Sequence, residues 1–155
     1  ATANDNPQYN YVSRDSNGNG VVGFVDAIEG KEPFPAGAMS LALGGSFLGS
    51  CFIQKKPFYT AQNVAVLQEK IPMSDHVKLF IAALIRNECK IKYQAFGREL
   101  NAHFRKDFSI KLPVKQDSNG NLVIDPKHEF SPKGYIPDWD YMEQYMKSLP
   151  FSDRI

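Results

Sequence analysis

The chain has 155 residues, of which 43% are hydrophobic and 23% are charged, and its formal net charge is +1. This composition fits one globular domain with a buried core and argues against a uniformly basic, histone-like or tail-like nucleic-acid binder. No apolar run approaches the roughly 20 residues that a membrane span needs, and no signal-peptide layout opens the chain, so no membrane partner is expected.

Apolar patterning predicts short strands in the first half of the chain. After a loose lead-in over residues 1–10, strands are predicted at 11–13 and 21–25 around a dense turn signal at 15–20. A hairpin is predicted from strands 39–43 and 47–54 joined at 44–46, and the alternating stretch 58–67 ends in a further strand.

The second half predicts helices and a second hairpin. Ser74 is a good N-cap for a helix that extends to about Cys89, because apolar residues follow at helical spacing. A helical turn at 100–104, a strand at 108–112 and a hairpin return at 122–124 come next. Asp138 caps a last helix over 139–149. We therefore expect an α+β fold in which antiparallel hairpins pack with a few helices, as a single domain over 1–155 with its C-terminal helix at 138–150.

The two cysteines and the histidines give no metal or catalytic pattern. Cys51 and Cys89 lie in apolar segments without a CxxC spacing, which favours reduced, buried thiols of a cytoplasmic protein and leaves a single disulfide open. No HExxH, GxSxG or GxxxxGK[ST] motif is present, so the sequence predicts neither an enzyme nor a cofactor. Ala1 stands where a complete chain begins with Met, and the sequence leaves open whether the chain is part of a longer protein.

Positive charge is concentrated in two places. Residues 90–111 contain six Lys or Arg and two Asp or Glu, with Tyr93 and Phe96 among them, and Lys55 and Lys56 form a second cluster. Basic side chains interleaved with aromatic rings are typical of a surface that binds a nucleic acid, although a solvated charged face is the ordinary alternative.

Two other functions stay open. Residues 15–26 nearly satisfy the EF-hand loop, with Asp15, Asn17, Asn19 and Asp26 as oxygen ligands, but their flanks lack the helical period that an EF-hand requires. A calcium-binding module is therefore one alternative to a polar turn. A protein-interaction domain that uses the helix at 139–149 is the other.

An ordered set of short segments resembles the target recognition domain of restriction–modification specificity subunits. The segments are Tyr11-Val12-Ser13-Arg14, Pro35-Ala36-Gly37, Phe52-Ile53-Gln54-Lys55-Lys56-Pro57-Phe58-Tyr59-Thr60, Phe96-Gly97-Arg98, Ile110-Lys111-Leu112-Pro113 and Ile136-Pro137-Asp138-Trp139-Asp140-Tyr141-Met142-Glu143. The resemblance is strongest to type IIB and type IIG systems, with type I specificity subunits as the wider group. The long helix that spaces two such domains is not seen.

The resemblance implies partners and contact residues. It implies a domain without catalytic residues that reads one part of a split double-stranded DNA target. The chemistry then belongs to an adenine methyltransferase and an endonuclease, in the same chain or a partner, and a second target recognition domain reads the other part. Lysine and arginine suit phosphates, and planar donors or rings suit bases and sugars. The expected phosphate contacts are Lys55, Lys56, Lys90, Lys92 and Arg105, and the expected base or sugar contacts are Arg14, Gln54, Tyr59, Tyr93, Gln94 and Arg98.

Overall fold

Within residues 8–150, six short strands form two separate three-stranded sheets, one helix packs beside the second sheet, and a shorter helix packs on the first helix. The structure is a computed structural model that describes residues 8–150. Its elements are β1 (Tyr9–Val12), β2 (Val21–Val25), β3 (Met39–Ala42), β4 (Cys51–Ile53), β5 (Phe58–Thr60), β6 (Val64–Leu67), α1 (Asp75–Lys92) and α2 (Trp139–Lys147), with single helical turns at Gly18–Gly20 and Leu100–Ala102. The predicted α+β fold of hairpins and a few helices is confirmed.

The first sheet has the strand order β2-β1-β5. Strand β1 pairs antiparallel with β2 through the predicted polar turn, and parallel with β5, a pairing that the hairpin pattern did not predict. Val12 and Phe58 are fully buried and form its core together with Ala38. Tyr9 and Asn10 belong to β1 and not to a loose lead-in, whereas residues 1–7 of that prediction lie outside the described residues.

The second sheet has the order β4-β3-β6, and both of its pairings are antiparallel. All four residues of β3 are buried because it is the central strand and is covered on both faces. The predicted hairpin of β3 and β4 is confirmed, but β4 begins only at Cys51, since residues 45–50 form turns. The stretch 58–67 forms two strands in different sheets, separated at Asn63, whose φ is +57°.

Helix α1 begins at the predicted cap and continues to Lys92, three residues beyond the predicted end. The Val77 amide donates to Oγ of Ser74 at 3.3 Å, which satisfies an amide that lacks a partner within the helix. Its buried face carries Ile85 and Cys89 into the core of the second sheet. Both cysteines are free and buried, and burial raises the pKa of Cys51 to about 12 and that of Cys89 to about 11. The predicted reduced thiols are confirmed.

The region after α1 has less regular pairing than the sequence pattern predicts. The predicted strand at 108–112 is wrong, because these residues form no strand ladder. Phe108 and Ile110 instead pack against the core of the second sheet, so their alternation reflects side-chain burial without a neighbouring strand. The predicted return at 122–124 is reduced to isolated bridges, Gln116 with Leu122 and Ile124 with Tyr135.

Helix α2 packs its apolar stripe on α1. Asp138 caps it as predicted, with its Oδ1 accepting from the Tyr141 amide at 3.0 Å, but the helix ends at Lys147. Met142 is fully buried, and Phe80 of α1 meets the rings of Tyr141 and Tyr145 edge-on. Part of the apolar surface of the helix predicted for protein interaction is therefore used inside the fold, while Tyr141 and Tyr145 stay 52% and 47% exposed. No helix among residues 8–150 is long and apolar enough to cross a membrane.

Replacement of Gly49 by Ala is expected to destabilise the protein strongly. Gly49 has a φ of +90°, and a Cβ there would lie 2.6 Å from Cβ of Cys89. Backbone strain and overpacking together predict a loss of about 2–4 kcal/mol, measurable as a lower melting temperature.

The matched control is Gly120→Ala. Gly120 has a φ of +81°, and within the described part of the chain a Cβ there would meet no atom within 4 Å. This variant isolates the backbone strain and should cost about 1 kcal/mol. Equal losses in the two variants would show that the contact with α1 contributes nothing.

Candidate nucleic-acid interface

A glycine-rich turn lies directly against the C-terminal half of α1. Residues 44–50 join β3 to β4, and Gly49 within them touches the helix at Cys89. The two segments border a concave surface of about 400 Å³, whose polar lining includes Ser46, Ser50, Arg86 and Lys90. An open, polar hollow with two cations on one wall is suited to an anion such as a phosphate.

Arg86 occupies the middle of this face and was missed by sequence reasoning. Its Nη2 donates to the carbonyl oxygen of Cys51 at 2.6 Å, and its guanidinium lies 4.9 Å from the centre of the Phe52 ring. Both partners are neutral, so the residue is held in place while keeping its positive charge. Arg86 lies one turn before Lys90, which puts the two cations on one helix face, and this spacing could have identified Arg86 from the sequence.

A second, smaller hollow continues this face toward the start of α1. It has a volume of about 180 Å³ and is lined by Phe52, Lys55, Leu79 and Arg86, so Arg86 borders both hollows. Lys55 lies 3.4 Å from Asp75 in the first turn of α1. The cations therefore follow the helix from one end to the other.

At the other end, Arg98 extends the same row of charges. Its guanidinium lies 5.3 Å from the ring centre of Tyr93, which lines the larger hollow. We call Lys55, Arg86, Lys90 and Arg98 together the basic track. At 1.5 Å per helical residue, the fifteen steps from Asp75 to Lys90 span about 22 Å, or about six base-pair steps of duplex DNA.

Glu99 ties three loops together beside the basic track. Its Oε2 accepts from the amide of Gly45 at 2.8 Å and from the amide of Phe96 at 3.3 Å. Arg14, in the loop after β1, also reaches this point, with its Nη1 3.4 Å from where a Cβ on Gly45 would lie. The Gly45 amide, then the Phe96 amide, and less strongly the charge of Arg14 lower the pKa of Glu99.

The loop that follows α1 is a tight hairpin with an aromatic side chain at its apex. The Gln94 amide donates to the Arg98 carbonyl at 2.8 Å, and the Arg98 amide donates back to the Gln94 carbonyl at 2.9 Å. Phe96 stands at the apex with a φ of +62° and is 86% exposed. An open depression of about 550 Å³ on this loop is bordered by Phe96, Arg98 and His103.

Eight of the eleven predicted contact residues are exposed. They are Arg14, Lys55, Lys56, Lys90, Lys92, Gln94, Arg98 and Arg105. Lys92 forms an ion pair with Glu88 one turn earlier on α1, and the hydrogen bond in that pair raises the pKa of Lys92. Arg105 lies over the Phe104 ring at 5.6 Å, outside the hollows that the basic track borders.

Gln54 was predicted to contact a base, but the structure places it in the interior. Its Nε2 donates to the Asn19 carbonyl at 2.8 Å and to Oγ of Ser40 at 3.0 Å, and the residue is 1% exposed. Both donors of the amide are therefore used inside the protein, and Gln54 ties the turn after β1 to the second sheet. It has no surface from which to reach a base edge.

The two tyrosines predicted to contact DNA are also buried. The hydroxyl of Tyr59 donates to the Lys31 carbonyl at 2.9 Å and accepts from the Ile28 amide at 3.0 Å. Tyr93 packs its ring against Phe108 in the core of the second sheet. Each tyrosine serves the fold in this structure, so the prediction of direct contact is corrected for both.

The loop at 15–26 lacks the surroundings of an EF-hand. Strand β1 precedes it where an EF-hand has a helix, and strand β2 takes up Val21–Val25 of the loop itself. Oδ1 of Asp15 accepts from the Asn17 amide at 3.0 Å, as in an ordinary polar turn. Within residues 8–150, no group of three or more His, Cys, Asp or Glu could hold a metal ion. The helix–loop–helix frame of an EF-hand is therefore not formed around this loop.

Comparison with known proteins agrees with the resemblance seen in the sequence. Residues 1–122 match the family model described as type I restriction modification DNA specificity domain. Over 139 residues the chain is 24% identical to the type II restriction enzyme BgcI specificity subunit S.BcgI of Heyndrickxia coagulans. The match covers 90% of this chain and 34% of that protein, so the chain spans about a third of the relative's length. No solved structure matches.

Replacement of Glu99 by Gln should reveal how much its charge contributes to loop order. Because the folded-state pKa lies below the ordinary value of 4.5, the carboxylate stabilises the folded protein above that pH. The stabilisation is lost as the pH falls through the lowered pKa. The melting temperature of Glu99→Gln should be below that of the wild type at pH 7, and the gap should close on acidification.

The wild type and the variant should be measured together at each pH, since other carboxylates, including Glu69, Asp125 and Glu143, also have lowered pKa values. Only the difference between the two proteins reports on Glu99. A gap that stays constant from pH 7 to pH 3 would mean that its charge has no role.

Proposed function

Because the chain belongs to the family of type I restriction modification DNA specificity domains, we propose that it recognises a specific sequence in double-stranded DNA through the basic track. The observation that carries this proposal is the arrangement of Lys55, Arg86, Lys90 and Arg98 along one face of α1 and the loop after it. Arg86 and Lys90 lie on a rigid helix, and Lys55 and Arg98 lie beside its two ends, so the four cations have a spacing that a duplex backbone can match.

The lysines of the track would set the position of the protein on the duplex. Lys55 and Lys90 are exposed; Lys55 pairs with Asp75 in the first turn of α1, and Lys90 lies in its last turn. Phosphate contacts of this kind fix register and orientation but carry no sequence information. The hollow between the glycine turn and α1 would receive a phosphate, with Arg86 on its wall.

Exposed planar side chains beside the track are the candidates for reading bases. Gln94 and Arg98 face each other across the base of the hairpin loop, and Arg14 lies next to the glycine turn. Arginine pairs bidentately with guanine and glutamine pairs bidentately with adenine in the major groove. Reciprocal backbone bonds fix Gln94 and Arg98 in the hairpin that Glu99 holds, and Arg14 lies beside Gly45, so the three would meet the DNA in a defined arrangement.

The chemistry would be done elsewhere. We propose that this domain directs an adenine methyltransferase and an endonuclease, in another subunit or another part of a longer chain. The relative from Heyndrickxia coagulans is named as the specificity subunit of a restriction enzyme, and this chain matches about a third of it. A second target recognition domain would then read the other part of a split target.

Lys90→Ala should weaken binding evenly across DNA sequences. Loss of one phosphate contact should reduce the slope of log affinity against log salt concentration by about one. The measurement is fluorescence anisotropy with a labelled duplex selected from a random library, repeated at several salt concentrations. Lys127→Ala, which removes an exposed charge in the loop region before α2, is the control and should leave the slope unchanged.

Arg98→Ala should relax the preference at one base pair. A bidentate arginine contact contributes about 1–3 kcal/mol of discrimination, so the variant should tolerate substitutions at that position and keep the wild-type preference elsewhere. Selection from the random library with wild type and variant measures this directly. Salt-independent binding by the wild type, or failure to select any duplex, would contradict the proposed function.

A further inference from the structure

Phe96 combines two features that are costly for a phenylalanine. Its side chain is 86% exposed, and its backbone has a φ of +62°, in the left-handed region. Asparagine tolerates this region well, as Asn19 and Asn63 do here, but a bulky side chain is an outlier in it. Strained backbone of this kind persists where the surroundings enforce it, and it concentrates at functional sites.

The surroundings of Phe96 do enforce it. The reciprocal bonds between Gln94 and Arg98 close the hairpin below the apex, and the Gly97 amide adds a third bond to the Gln94 carbonyl at 3.2 Å. The Phe96 amide is held by the Glu99 carboxylate. The ring is therefore carried by an ordered turn. The turn would lose little conformational entropy when the ring binds a ligand.

The charges around Phe96 indicate which class of ligand its ring would contact. Arg98 lies two residues away, and Lys90 precedes the loop in the last two turns of α1. Glu99, the acid three residues after Phe96, points its carboxylate at two backbone amides. An exposed ring next to cations suits a ligand with flat, apolar faces and an anionic backbone, which describes stacked nucleobases better than an apolar protein surface.

We propose that Phe96 inserts its ring at one base-pair step of the recognised duplex and stacks on a base there. This inference rests on the proposed function. It gives Phe96 the role of sensing how easily one base-pair step deforms. Apolar side chains inserted at a step unstack it in part, and pyrimidine–purine steps yield most easily. The expected preference is therefore for a flexible step next to the base pair that Arg98 reads.

The test uses the full chain and a duplex that the wild type selects from a random library. 2-Aminopurine, which fluoresces more strongly when unstacked, replaces one base at a time along the selected site. The wild type should raise the fluorescence at one position. Phe96→Ala should abolish that rise and lower the affinity by at least about tenfold, whereas Phe96→Trp should restore both because it keeps a stacking ring.

Two controls separate insertion from simpler explanations. Phe24→Ala removes a phenylalanine that is 61% exposed on β2 of the first sheet. This variant should change neither the DNA affinity nor the fluorescence. Phe96→Gly removes the ring and relieves the positive φ, so it should keep the wild-type melting temperature while losing affinity as Phe96→Ala does. A loss of affinity in this variant cannot then be attributed to unfolding.

The outcomes distinguish this inference from the proposed function. If the wild type selects a duplex and Phe96→Ala binds it as tightly, or if no position shows a fluorescence rise, insertion is wrong and the proposed function stands. If the wild type selects no duplex, both are overturned. If Phe96→Ala keeps its DNA affinity but loses a protein subunit that co-purifies with the wild type, the ring is a protein contact and the inference fails.

Discussion

The contact between the glycine turn and α1 is the constraint on which the candidate interface depends. At Gly49 the turn backbone comes so close to Cys89 that a Cβ would lie 2.6 Å from the cysteine Cβ. This approach places the turn beside Arg86 and Lys90, which lie on either side of Cys89 along the helix. With the turn displaced, the hollow between the glycine turn and α1 would lose one wall, and the amide of Gly45 would move away from Glu99.

Helix α1 has a buried face that packs in the core and an exposed face that carries the cations of the proposed interface. Ile85 and Cys89 enter the core, while Arg86 and Lys90 face outward. Arg86 of this face and Lys55, which lies beside the start of α1, have different kinds of partner. Arg86 is held by a carbonyl oxygen and a ring, so its charge stays uncompensated, whereas Lys55 pairs with an exposed carboxylate. Exposed pairs are weak, so a phosphate could replace the carboxylate at small cost.

The sequence correctly predicted the structural elements that depend on interactions between residues close together in the chain. The cap at Ser74, the apolar period of α1 and the hairpin of β3 and β4 all depend on neighbours in the sequence, and all three are present. The strand predicted at 108–112 failed because alternation records burial, and burial here comes from side-chain packing with no strand alongside.

Site residues were harder to predict because exposure depends on distant partners. Gln54 has the chemistry of a base-reading residue, but its partner Asn19 is 35 residues away, and that contact buries it. Tyr59 is buried by bonds to a segment about 30 residues earlier. Arg86 was missed for the opposite reason. A charged residue within a helix is ordinarily a solvated one, and only the position of β4 beside α1 reveals its fixed geometry.

An acidic residue within a basic surface would ordinarily oppose the binding of DNA. Glu99 is tolerated there because its Oε2 accepts from two backbone amides, which draws the carboxylate toward the protein and lowers its pKa. The same bonds hold the hairpin that carries Phe96 and Arg98 against the glycine turn before any ligand arrives. Ordering loops in advance reduces the entropy lost on association, so the local repulsion from one negative charge is offset by preorganisation of the side chains that would read the DNA.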